Sequence, residues 1–129
     1  LPGWFALPDA NAHYIKDIAD KDVLASGTSK NVRGLIALHY HFDRNAEIWW
    51  MGVDPDFHRQ GIGSYLFDAA KLHVKERGCN RMAVQTLSPR SKDKFYENTR
   101  SFYETVGFKP FVEFDETKPN PMMWMFMDL

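Results

Sequence analysis

Between Asp54 and Leu66 the hydrophobic pattern of the chain changes period, and few folds accommodate such a change. Upstream, Glu47 to Val53 is rich in aromatic and branched residues and reads as a strand. Pro55 has no N–H for a ladder and ends it. From about Gly61 the apolar residues recur at helical spacing. Ile62, Leu66, Ala69, Ala70, His73 and Val74 share one face, and Gly78 stops the helix. A strand therefore runs through a glycine-bearing loop straight into a helix. The first N–H groups of a helix lack intrahelical partners, and the helix dipole adds positive potential there. Gly61 and Gly63 carry no Cβ, so a phosphate can approach the backbone, and His58 and Arg59 can add charge. The stretch predicts an anion site. A P-loop is excluded because no Gly-Lys-Ser/Thr is present. A dinucleotide loop is disfavoured because Leu66 stands where Gly-x-Gly-x-x-Gly needs its last glycine. Taken alone, the two glycines are explained at least as well by a tight turn with close helix–sheet packing.

The rest of the chain supplies the context. Asp9 can cap a short helix reaching about residue 18. Val23 to Ser26 and Leu35 to Phe42 read as an antiparallel hairpin turning at Gly27 to Asn31, and Asp43-Arg44-Asn45 is a second turn. Arg81 to Leu87 alternates as a strand, with Met82, Val84 and Thr86 on one face. After the polar loop Ser88 to Asp93, a helix is predicted over 95–106, with Phe95, Thr99, Phe102 and Val106 on one face and Gly107 at its end. Two strands follow, near Lys109 to Phe114 and Met122 to Met127. This order predicts a mixed α+β fold, and 129 residues predict one domain spanning 1–129.

Composition narrows the partners. Sixteen Lys+Arg against 17 Asp+Glu leave a net charge of −1. That balance argues against a nonspecific nucleic-acid or anionic-membrane binder. The longest apolar run, Met122 to Met127, is far short of the ~20 residues that span a bilayer. No signal peptide is read in residues 1–20, so a cytoplasmic location is expected. The lone Cys79 excludes an intrachain disulfide. His39 and His41 share a strand face, but a metal site needs a third ligand.

Two motifs together carry a resemblance. Val53-Asp54-Pro55 followed by His58-Arg59-Gln60-Gly61-Ile62-Gly63 resembles the acetyl-CoA motif of the GNAT N-acetyltransferases, Arg/Gln-x-x-Gly-x-Gly/Ala after Val-x-Pro. Phe102-Tyr103-Glu104-Thr105-Val106-Gly107-Phe108 resembles the same family's Tyr-Glu-x-x-Gly-Phe signature. They stand in the family's order and spacing, with a helix and a strand between them, and the resemblance covers roughly residues 22–127. It implies acetyl-CoA as cofactor and direct acetyl transfer, within a ternary complex, to the primary amine of a small molecule or peptide. It also implies a mostly antiparallel sheet flanked by helices. At this length the family's first strand is expected to be missing, leaving about six strands rather than seven.

The resemblance also assigns roles. The strands Glu47–Val53 and Arg81–Leu87 should splay apart and admit the pantetheine arm, with Met51 and Val53 offering backbone contacts. The pyrophosphate ligands should be the backbone N–H groups of Arg59, Gln60, Gly61, Ile62, Gly63 and Ser64. His58 departs from the family's usual Arg or Gln at its position. Tyr103 should protonate the departing thiolate, since a tyrosine of pKa near ~10 stays protonated at neutral pH. Tyr96 stands where the family often has an Asn that touches the cofactor, with Asn98 two residues on. Glu47 is the best general-base candidate, because the neighbouring Ile48-Trp49-Trp50 could bury it and raise its pKa; an exposed strand-edge carboxylate is the competing reading. The amine site should involve Trp4-Phe5 and Asp115 to Pro121, and homodimers are common in the family. The departures at His58 and Tyr96 also keep open a non-catalytic CoA-binding or regulatory module.

Overall fold

The structure is a computed structural model that describes residues 21–28, 31–58, 60–91 and 95–129, apart from the side chains of Thr28, Phe95 and Tyr96. The helix expected to begin at Asp9 and the Trp4-Phe5 segment lie outside the described residues. Among the described residues, six strands form one sheet: β1 (Asp22–Thr28), β2 (Asn31–His41), β3 (Asn45–Val53), β4 (Arg81–Leu87), β5 (Lys109–Phe114) and β6 (Met122–Asp128). Two helices, α1 (Ile62–Glu76) and α2 (Phe95–Val106), follow β3 and β4 respectively. The sheet order is β1-β2-β3-β4-β6-β5. Every pairing is antiparallel except β3 with β4, which is parallel. The parallel pair follows from the crossover through α1, which returns the chain to the start of the neighbouring strand.

One face of the sheet carries the core. Ile36 and Leu38 of β2, Ala46 and Ile48 of β3, Met82 and Val84 of β4, and Met123, Met125 and Met127 of β6 pack against both helices. The alternation in β4 is as the sequence predicts: Met82, Val84 and Thr86 are buried. The stripe on α1 is rotated from the expected one. Leu66, Phe67, Ala70 and Val74 are its buried residues. Phe67 meets Phe102 and Phe108 edge to face, with ring centroids 6.5 and 5.7 Å apart. His73 sits at the margin of the stripe and bonds Asp22 at 3.0 Å instead.

A bulge interrupts β3. Leu38 pairs with Ile48 and Ala37 with Trp50, so Trp49 is the extra residue and has no partner in β2. A bulge bends its strand and increases its twist. The pairing of β3 with β4 ends at the same place. It comprises Asn45–Arg81, Ala46–Met82, Glu47–Ala83 and Ile48–Val84. Beyond that point β3 stays on β2 as far as Val53, and β4 stays on β6 as far as Leu87. The two strands part and leave a gap between two intact half-sheets.

Candidate active site

The gap is set by the bulge, and the turn after β3 leads from it to α1. Asp54 donates its N–H to the Arg33 carbonyl at 2.8 Å, while its side chain accepts from the Asp56 N–H at 2.9 Å. This caps a single 3-10 turn, Pro55–Phe57, with Pro55 at a position that needs no N–H. The exposed His58 ring lies back on the strand end, with Nε2 2.9 Å from the Val53 carbonyl oxygen. That contact requires the proton on Nε2. Arg59 lies outside the described residues.

Gly61 is the N-cap of α1 at φ 77°, in the left-handed region that favours glycine, and no side chain caps the helix. A Cβ placed on Gly61 would meet nothing within 4 Å. The first intrahelical bond runs from the Tyr65 N–H to the Gly61 carbonyl at 3.0 Å. The N–H groups of Ile62, Gly63 and Ser64 therefore precede the helical ladder. Gln60 and Ser64 are exposed, and Ile62 and Gly63 half-buried. Gly63 is positioned differently from Gly61. Its would-be Cβ lies 3.6 Å from Phe102 and 3.7 Å from Met51, ordinary contact distances. Met51 thus reaches the start of α1 from β3, while Val53 is half-buried at the strand end.

Tyr103 projects from α2 into the core and is 7% exposed. Phe102 and Phe108 hold its ring edge to face, at 5.7 and 5.6 Å. Burial pushes its phenol up to about 12. The proton is therefore held across the neutral range. In the first turns of the same helix lie Tyr96 and the exposed Asn98. Arg100 of the same helix donates to the Leu87 carbonyl at 3.4 Å.

Glu47 lies on the other face of the sheet, since its neighbours Ala46 and Ile48 face the helices. It is 9% exposed, so the reading as an exposed edge carboxylate is wrong. Its Oε1 is 2.7 Å from His41 Nε2. The sequence held no signal for this pairing, because it needs the register of two strands. The His39 ring meets His41 edge to face at 4.7 Å. Among the described residues, no group of three or more His, Cys, Asp or Glu could hold a metal. Ala83, level with Glu47 on β4, lines an open groove of about 410 Å³ together with Arg81, Phe111, Val112, Trp124 and Phe126. The sequence reading missed this aromatic groove. Asp115 pairs with Lys118 at 3.7 Å. Cys79 is buried, which raises its thiol pKa. No described helix is long and apolar enough to cross a membrane.

The residues present fit an extended ligand with an anionic end. The gap between β3 and β4 can take an extended arm, uncapped N–H groups stand at the start of α1, and the buried hydroxyl of Thr86 has no hydrogen-bond partner among the described residues. The chain is 34% identical over 62 residues to a mycothiol acetyltransferase of Propionibacterium freudenreichii, a match covering 48% of this chain and 18% of that protein. The chain thus spans less than a fifth of that relative's length. Two solved structures share the fold at 18% identity. The IAA acetyltransferase from Bacillus cereus superposes with a TM-score of 0.74, covering 98% of this chain and 95% of that one. A GNAT family acetyltransferase from Elizabethkingia anophelis with acetyl-CoA bound superposes with a TM-score of 0.73, covering 91% and 82%. The family model described as an acetyltransferase (GNAT) domain matches residues 14–110, three quarters of the chain, and the chain belongs to the GNAT acetyltransferase family.

Proposed function

We propose that the protein is an acetyl-CoA-dependent N-acetyltransferase acting on the primary amine of a small molecule or peptide, by direct attack in a ternary complex. The observation that carries this reading is the parting of β3 from β4 after the Ile48–Val84 pair, directly beside the uncapped start of α1. An unpaired strand edge can bond the amides of a pantetheine arm, and the backbone of Met51 and Val53 offers that edge. The N–H groups from Arg59 through Ser64 would hold the pyrophosphate. Tyr96 and Asn98 are proposed as further contacts from α2. When bound, acetyl-CoA supplies an acetyl group activated as a thioester.

The two faces of the sheet divide the remaining work. Tyr103, on the helix face, keeps its proton at the phenol oxygen and can give it to a departing sulfur. Glu47, on the opposite face, accepts the proton that an ammonium must lose before its nitrogen can attack. A buried carboxylate bonded to His41 is oriented for that task. The groove beside Ala83 offers an apolar bed for the acceptor on the same face. The test is calorimetry with acetyl-CoA, followed by thiol release over a panel of amines. Acetyl-CoA binding with amine-dependent thiol release is expected. Binding without release for every amine would favour a CoA-binding module.

A further inference from the structure

Thr86 is 3% exposed, and its hydroxyl has no hydrogen-bond partner among the described residues. Buried side-chain polar atoms are nearly always partnered, and one that is not calls for a cause. The position itself does not ask for a hydroxyl. Met82, Val84 and Thr86 occupy the same face of β4, and the first two are apolar core residues. Valine has nearly the same shape as threonine and would fill the same strand site without an orphaned polar group. The location supplies the cause. Thr86 lies two residues beyond Val84, where β4 has lost β3 as a neighbour. Its partner on β6 is Met123, so the other edge of β4 at Thr86 borders the gap.

We infer that Thr86 is a cofactor-contacting residue whose hydroxyl bonds the pantetheine–thioester arm of acetyl-CoA. The inference rests on the proposed cofactor. A threonine hydroxyl both donates and accepts, and the arm carries amide and thioester carbonyls beside amide N–H groups. The contact would complete the hydroxyl's hydrogen bonding on binding. The apolar neighbours Val84 and Met123 leave it little competition for that bond.

The test compares the wild type with Thr86→Val and Thr86→Ser. Calorimetric affinities for acetyl-CoA and for free CoA are measured, together with thermal melting without ligand. Thr86→Val should melt at or above the wild-type temperature and bind acetyl-CoA about tenfold more weakly, the loss of one hydrogen bond. Thr86→Ser should restore affinity to within about twofold of wild type. An equal loss for free CoA would place the bond on the amides of the arm; a loss confined to acetyl-CoA would place it on the thioester carbonyl. Undiminished binding of both ligands by Thr86→Val overturns the assignment. So does a lower melting temperature of Thr86→Val without ligand, which would show that the hydroxyl serves the fold. If the wild type itself fails to bind acetyl-CoA, the cofactor reading falls, and this assignment with it.

Discussion

Ile48 and Val84 are the last residues at which β3 and β4 pair, and the bulged Trp49 follows Ile48 directly. One local irregularity thus sets where the sheet opens. Deleting Trp49 would remove the bulge and leave Trp50 opposite Ala37 and Met51 opposite Ile36, so the following side chains keep their faces while β3 loses its local bend. A straightened β3 should stay beside β4 past the Ile48–Val84 pair and close the gap. The variant should lose acetyl-CoA binding by calorimetry, and its melting temperature should change little because Met51 keeps its core contacts.

Gly61 and Gly63 separate the needs of the backbone from those of a ligand. Gly61→Ala places a Cβ at φ 77° in open space, so the cost is backbone strain of about 1 kcal/mol. A fall in melting temperature of roughly 3–5 °C is expected. Gly63→Ala meets only ordinary contacts and should fold like the wild type. Both variants should weaken acetyl-CoA binding, and calorimetry beside melting curves would show it.

Tyr103→Phe keeps the ring contacts with Phe102 and Phe108 and removes only the phenol oxygen. Turnover on a true acceptor should fall by about 100-fold with acetyl-CoA affinity nearly unchanged. The phenol is held up to about 12, so the wild-type rate should show no alkaline loss from this group up to about pH 11. Steady-state kinetics across pH would check both statements.

Glu47→Gln preserves the size of the side chain and an oxygen for His41. It removes the base. A fall in kcat of about 100-fold, with a smaller change in KM, is expected. Unchanged turnover would assign the proton to another group.

Asp22 joins β1 to β2 and α1. It accepts from Tyr40 at 2.5 Å, from His73 at 3.0 Å and from Arg77 at 3.1 Å. The Tyr40 hydrogen bond, then that of His73, and the Arg77 charge hold its carboxyl below the usual carboxylate range. A lowered folded pKa stabilises the fold above the unfolded pKa of about 4, and that contribution is lost as pH falls through the folded value. Asp22→Asn should therefore melt lower than the wild type at pH 7. The difference should shrink as pH falls below about 4. Melting curves from pH 3 to 7 would show the convergence.

Much of this fold was legible because its signals are local. Pro55, Gly61 and Gly107 mark element ends, and the period change around them separates strand from helix. The alternation of Met82, Val84 and Thr86 placed β4 correctly. The stripe of α1 was misplaced because Phe67 and His73 flank the shared positions Leu66, Ala70 and Val74 on opposite sides, and the pattern alone does not say which flank is buried. Only the tertiary contacts, Phe67 with Phe102 and His73 with Asp22, decide between them. The pairing of Glu47 with His41 was hidden for a related reason. It depends on the register between β2 and β3 next to their turn, where His39 stands opposite Glu47 and His41 opposite Asn45. The orphaned hydroxyl of Thr86 was likewise invisible, because a threonine in a strand signals β propensity before anything else.

The short parallel seam also bears on how the chain acquires its structure. β1, β2 and β3 form a meander of near neighbours, whereas β4 must await α1 before it can meet β3. Local hairpins close with little loop entropy, and a parallel crossover closes with more. The four seam pairs should therefore be among the last native contacts to form during refolding. Once formed, they lie among the buried Ala46, Ile48, Met82 and Val84, and their amides should exchange with solvent more slowly than those of the exposed edge strand β5.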